Sequence, residues 1–176
     1  GDYNLIGEIY RLKGNNEESL KNYQKAIELN KENGQATLFN NIGLAYLELN
    51  EMDSSILYLN ASLNAINQLS LKNEKSAINI SFGKFWLKNN DPLKALNYFN
   101  NTITYDLSSH PDQYELFKDA YEGMCLSYEK LNMNKEALIS YKKFNQYQSK
   151  IFNYSKQAGI FQNQILNDRV THKKEI

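Results

Sequence analysis

The sequence is short of most things that build chemical sites or cross membranes. It holds a single cysteine, Cys125, in 176 residues, so no intrachain disulfide can form. That suits the cytoplasm and does not exclude the periplasm. There are two histidines, His110 and His172, far apart and without ligand-spaced neighbours; metal sites need convergent ligands, so none is expected. With no base beside it, Cys125 is expected to pack as a small hydrophobe and not to act as a nucleophile. The glycines are isolated and form no phosphate-cradling loop. No catalytic residue and no cofactor is therefore expected, and the chain reads as a non-enzyme. Lysine plus arginine equals aspartate plus glutamate, 20 against 20. The chain thus lacks the basic footprint of a nucleic-acid binder and the attraction to anionic lipid that direct membrane binding would use. No run approaches the roughly 18 apolar residues of a membrane span, and no signal peptide is visible. The sequence opens on glycine inside a helical pattern, as expected of a fragment whose targeting signals, if any, have been removed. Only two prolines interrupt it, Pro92 and Pro111, and such a scarcity of breakers favours helices.

What is present is a repeat. Four segments align: Tyr3, Ile6-Gly7, Tyr10; Phe39, Ile42-Gly43, Tyr46; Phe82-Gly83, Trp86; and Tyr121, Met124-Cys125, Tyr128. Each has a large residue, a small one, and an aromatic three later. Nine residues beyond the aromatic stands a second small residue: Ser19, Ser55, Ala95, Ala137. Four further on comes a bulky one: Tyr23, Leu59, Phe99, Tyr141. The first small slots lie 36, 40 and 42 residues apart.

This arrangement resembles the tetratricopeptide-repeat (TPR) family, in which small residues let the two helices of one repeat approach closely. The resemblance implies an all-α fold, a right-handed superhelix of about four helix-turn-helix repeats. The periods exceed the usual 34 of the family, the repeat-end proline is missing from the first repeats, and Asn79 stands where a bulky residue is expected. Apolar residues at helical spacing, such as Ile56, Leu59, Leu63 and Ile66, agree. Helices are expected at about 2–13, 16–31, 35–49, 52–69, 71–89, 92–106, 112–131 and 134–170. Asp91-Pro92 reads as an N-cap followed by proline in the first turn, and His110-Pro111 similarly, with Ser109 the other candidate. Asn15, Asn16, Asn50 and Asn134 stand where Asn would cap the second helix of each pair. The array is expected over 1–147, with repeats at about 1–34, 35–74, 75–110 and 111–147, and a helical extension over 148–176.

The TPR resemblance also implies a concave face lined by the first helix of each pair, and a protein or peptide as partner. Its slots are Asn4, Glu8 and Arg11; Thr37, Asn40, Leu44 and Leu47; Ala77, Ile80, Lys84, Leu87 and Lys88; and Asp119, Glu122, Leu126 and Glu129. An apolar middle, Leu44, Leu47, Ile80 and Leu87, is expected to carry the contact, with Lys84 and Lys88 selecting the partner's charge. The carboxylate clamp of chaperone-binding TPR proteins would fall at Asn4, Glu8, Asn41, Ala77 and Ser81, where only Asn41 fits.

The last helical pattern runs on past the fourth repeat. Phe144, Ile151, Ala158 and Ile165 are seven apart, and Tyr147, Tyr154 and Phe161 follow at three. That is the spacing of a coiled-coil seam, weakened at Gly159 by about 1 kcal/mol relative to alanine. Weak homodimerisation through Ile151, Tyr154, Phe161 and Ile165 is expected; a capping helix is the compatible alternative. Tyr141-Lys142-Lys143 and Lys150-Ile151-Phe152-Asn153 resemble the segment that follows the repeats in TPR-containing bacterial signalling proteins, ahead of a histidine kinase or a LuxR-type DNA-binding domain. That resemblance implies a sensory or regulatory role, and in membrane-bound members a periplasmic location. A stand-alone adaptor is the other reading, and the cytoplasm the other location.

Overall fold

The structure is a computed structural model that describes residues 2–29, 35–67, 72–104 and 111–172, without the side chains of 67, 72–74, 112, 163 and 165–172. The described residues form α-helices α1 (Asp2–Leu12), α2 (Asn16–Leu29), α3 (Gln35–Glu48), α4 (Met52–Asn67), α5 (Lys72–Lys88), α6 (Pro92–Ile103), α7 (Tyr114–Lys130) and α8 (Asn134–His172). Among them there is no strand. The expected start of the seventh helix moves: Pro111–Gln113 is a 3₁₀ turn, and α7 begins at Tyr114 behind Gln113, which makes no side-chain cap bond. His110 and Ser109 lie outside the described residues.

Each hairpin turns in the same way. Gly14, Asn50, Asn90 and Asn132 have φ of 77°, 64°, 59° and 58°, a left-handed conformation that glycine and asparagine tolerate best. The next residue's N–H reaches back to the carbonyl of the repeat's aromatic: Asn15 to Tyr10 at 2.9 Å, Glu51 to Tyr46 at 2.9 Å, Asp91 to Trp86 at 2.8 Å and Met133 to Tyr128 at 2.9 Å. This satisfies helix-end carbonyls in the manner of a Schellman turn. Asn50 therefore ends one helix and does not cap the next, a correction that follows from its left-handed backbone. Asn15 and Asp91 do cap, accepting from Glu18 N at 3.3 Å and Lys94 N at 3.1 Å. Asn16 and Asn134 are the first residues of their helices.

Within a hairpin, close approach depends on the small slots. A Cβ on Gly7, Gly43 or Gly83 would collide with the side chain sixteen residues on: Tyr23, Leu59 or Phe99. Hydroxyls stitch the pairs. Ser55 Oγ donates to Gly43 O at 2.8 Å, Ser62 Oγ to Ala36 O at 2.7 Å and Thr102 Oγ1 to Ser76 O at 3.4 Å.

Between hairpins the same bulky residues serve again. Tyr23 and Ala26 cluster with Leu38, Ile42 and Ala45 of α3. Leu59 and Ile66 cluster with Ile78, Phe82 and Phe85 of α5. Leu96 and Phe99 cluster with Ala120 and Met124 of α7. Tyr23, Leu59 and Phe99 are fully buried, and each such side chain stabilises the fold by about 1.5–3 kcal/mol relative to exposure. The odd-numbered helices also touch one another, α1 to α3, α3 to α5 and α5 to α7, whereas the even-numbered helices make no comparable mutual contact among the described residues. A stack in which one layer is closer together than the other bends toward that layer, so the odd helices lie on the inside of the curve.

The fourth bulky slot departs from the expectation. Tyr141 is exposed, because no further helix among the described residues covers it. Tyr147 replaces it as the anchor of α8: it is buried and stacks on Phe117 at 5.2 Å and Tyr121 at 5.8 Å, with Tyr114 at 6.0 Å. Lys150 lies over the Tyr114 and Tyr147 rings. Beyond Tyr147 no described side chain is buried.

Candidate partner-binding face

The inner layer is where the sequence places the partner, and the structure sorts its residues by depth. Leu47, Ile80 and Asn40 are buried. Leu44 and Leu87 are half-buried, packed against the cores between neighbouring repeats. The expected apolar middle is thus largely consumed by contact between adjacent inner helices, and Leu47 and Ile80 present no free surface. Thr37, Lys84, Lys88, Glu122, Leu126 and Glu129 are exposed, and Asn4, Glu8, Arg11, Ala77 and Asp119 are half-buried. The face is therefore a polar rim over a shallow apolar floor.

Its charges cross from helix to helix. Arg11 Nη1 meets Glu48 Oε1 at 2.7 Å. Burial works to lower the Arg11 pKa, but the bond to Glu48 and its charge outweigh it and leave the guanidinium held above its ordinary value. Lys84 Nζ bonds Asp119 Oδ2 at 3.1 Å. Lys88 Nζ donates to the Leu47 carbonyl at the end of α3, a favourable place for a cation because helix C-termini carry partial negative charge. Lys130 Nζ reaches Asn90 Oδ1 at 3.2 Å. Repeat three thus offers lysines to the face and repeat four offers Asp119, Glu122 and Glu129. Asn41, the one match to a carboxylate clamp, is buried and donates to Asn4 Oδ1 at 3.2 Å.

Cys125 lies half-buried beside Glu129, Sγ to Oε1 at 3.8 Å. Burial, then the Glu129 carboxylate, pushes its thiol pKa up, the opposite of what activates a nucleophile. Among the described residues no three His, Cys, Asp or Glu side chains come together in a way that could hold a metal. Among the same residues no helix is long and apolar enough to cross a membrane. On the tail, Ile151 is half-buried and Tyr154 and Phe161 are exposed; the Ile165 side chain lies outside the described residues.

Sequence reading missed Gly123. It sits two residues before the Cys125 slot, and a Cβ there would overlap the Phe99 ring. The available signal was an isolated glycine inside a helix, which costs about 1 kcal/mol relative to alanine and so calls for a packing reason.

A stack of helical hairpins with a curved inner face is the architecture of a repeat scaffold, and such folds are generally non-catalytic protein-interaction scaffolds. Residues 3–68 match the family model of the tetratricopeptide repeat. No curated protein matches the chain. Two solved structures share the fold: BtubC (BKLC) from P. vanneervenii, with a TM-score of 0.66 and 16% identity over 84% of this chain and 62% of that one, and the TPR2AB domain of yeast Sti1 in complex with pHSP90, with a TM-score of 0.51 and 16% identity over 83% and 76%. The chain thus spans less than two thirds of the BtubC chain. The repeat match covers residues 3–68, and the fold is an all-helical TPR superhelix.

Proposed function

We propose that the chain is a non-catalytic scaffold that binds a protein or peptide along its inner face. The observation that carries this reading is the charge order there: exposed Lys84 and Lys88 on repeat three, which also hold Asp119 and the Leu47 carbonyl, then Glu122 and Glu129 on repeat four, above the half-buried Leu44 and Leu87. Such a face suits a segment with acidic residues opposite repeat three and basic residues opposite repeat four, and a small apolar anchor between them. The TPR domain of Sti1, in complex with pHSP90, supports the general mode. The experiment is selection of peptides from a random library on the wild type. Enriched peptides are expected to carry that charge order and to lose at least about tenfold in affinity, some 1.4 kcal/mol, on Lys84→Glu, Lys88→Glu. Equal binding to that variant, or loss on reversing Lys25 and Lys94 on the outer helices instead, overturns the inner-face reading.

We further propose that the scaffold is the sensory or regulatory portion of a bacterial signalling protein, with α8 passing the bound state onward and pairing weakly with a second α8 through Ile151, Tyr154, Phe161 and Ile165. What supports this is the length of α8, 39 residues, and the exposure of Tyr154 and Phe161 beyond the Tyr147 anchor. The alternative is a stand-alone adaptor. Reading the gene downstream of Ile176 separates them: a membrane span, kinase or helix-turn-helix segment supports the first, and an immediate stop codon the second.

A further inference from the structure

The first and the last described hairpins carry faces that match each other. Every interior odd helix buries the same three positions, Asn41, Ile42 and Ala45 on α3, Ser81, Phe82 and Phe85 on α5, and Gly123, Met124 and Ser127 on α7, and of these Ile42 and Ala45, Phe82 and Phe85, and Gly123 and Met124 pack on the even helix before. On α1 the same positions are Leu5, Ile6 and Ile9, which stand 60%, 38% and 43% exposed. At the other end, the slots that receive such a face are open. Tyr141, equivalent to the fully buried Tyr23, Leu59 and Phe99, is 52% exposed, and Leu138 beside it 53%. They border a groove of about 340 Å³ whose other walls are Cys125, Glu129, Asn134 and Ala137, so that one carboxylate, that of Glu129 on α7, also faces it. Among the described residues nothing covers either face.

We propose that α1 of one molecule docks on the α7–α8 end face of a second copy, so that copies add head to tail in continuation of the array. The occupant is named by the molecule itself, since three times within it a helix with α1's register fills this kind of slot. The departures also fit. Leu5 is larger than Ser81 or Gly123, and the groove beside Tyr141 offers the room. Asp2 takes the place of Leu38, Ile78 and Ala120, and α8 carries Lys142 and Lys143 with no carboxylate between Glu136 and Asp168. A head-to-tail contact joins two different surfaces and leaves a free one at each end, so it does not close into a dimer. One helix face is a small interface, at the weak end of protein–protein contacts. The scaffold reading above does not depend on it.

The test is sedimentation over a wide range, from about 10 µM to about 1 mM, spanning weak affinities. Wild type is expected to show a concentration-dependent series of species. With the tail seam removed throughout by Ile151→Asp, Phe161→Asp, the Ile6→Asp, Ile9→Asp variant and the Leu138→Glu, Tyr141→Glu variant should each be monomeric. Mixed one to one, they should form a dimer and nothing larger, because each keeps the face the other has lost. That rescue is specific to a head-to-tail contact; a symmetric tail seam cannot produce it. The wild-type series should also survive Ile151→Asp, Phe161→Asp. Should either double variant melt below wild type, Leu5→Asp and Leu138→Glu, at the most exposed positions, replace it. A wild type that stays monomeric throughout, variants that associate as wild type does, or a mixture that stays monomeric overturns the proposal.

Discussion

Phe99 packs against Gly123 of the following hairpin as closely as against Gly83 of its own; a methyl group on either glycine would overlap its ring. One side chain thereby fixes both the spacing within a repeat and the spacing between repeats. Alanine at either site gains about 1 kcal/mol of helix propensity over glycine, so a net loss requires overlap to exceed that gain. Gly83→Ala and Gly123→Ala are each expected to lower stability by about 1–3 kcal/mol in urea denaturation, the usual cost of overpacking. Adding Phe99→Leu to Gly123→Ala should recover part of the loss, a non-additivity that marks direct contact. A neutral Gly123→Ala would show that the ring is not wedged between the helices.

Tyr147 should hold α8 to the array. Truncation to alanine removes a buried ring from a stack with Phe117 and Tyr121, and is expected to destabilise by about 3 kcal/mol. Phe161→Ala, on the exposed stretch, should change the midpoint by less than about 0.5 kcal/mol in the monomer. Comparable effects of the two changes in thermal or chemical denaturation would mean that the tail is packed against the repeats.

The helix pattern was legible in the sequence because small slots, aromatics and turn residues repeat in register, and local chemistry decides each hairpin. The turn asparagines were visible, but their role was misassigned at Asn50, since capping and left-handed turns favour the same residue type. Depth on the inner face was not legible. Whether Leu47 or Leu87 is open depends on how near the neighbouring odd helix lies, and that follows from contacts such as Phe99 with Gly123, which join residues of different repeats. Tyr141 shows the same limit: its slot matches Tyr23, Leu59 and Phe99, yet its burial depends on a following helix.

Asp91 makes stability depend on pH. The Lys94 backbone N–H, bonded to its carboxylate, holds its pKa below the ordinary value despite a small opposing desolvation, and the Lys94 ammonium adds to the effect. A carboxyl depressed in the folded state contributes stability that is fully present above the unfolded pKa, about 3.9, and is lost as pH falls through the folded value. The melting temperature of wild type should therefore exceed that of Asp91→Ala at neutral pH, with the gap closing below about pH 4. Asp91→Asn should keep a cap whose strength does not change over that range. A gap that is constant down to about pH 2 would assign the effect to packing.

Cys125 should alkylate slowly. Its thiol is pushed above the ordinary cysteine value by burial and then by Glu129, and only the thiolate reacts. Maleimide labelling at neutral pH is expected to run below the rate of an unfolded control, and Glu129→Gln should raise it, because one source of the shift is gone while burial remains. No change on Glu129→Gln would show that the carboxylate does not act on the sulfur.

The uninterrupted α8 has a mechanical consequence. From Tyr147 to His172 its axis extends about 38 Å at 1.5 Å per residue. A tilt of about 10° at the aromatic stack would swing the far end by about 7 Å, more than one helical turn's rise of 5.4 Å. The stack of Tyr114, Phe117, Tyr121 and Tyr147 is thus the fulcrum of a lever, at which slight changes in the curvature of the array become displacements large enough to re-register whatever the distal end touches.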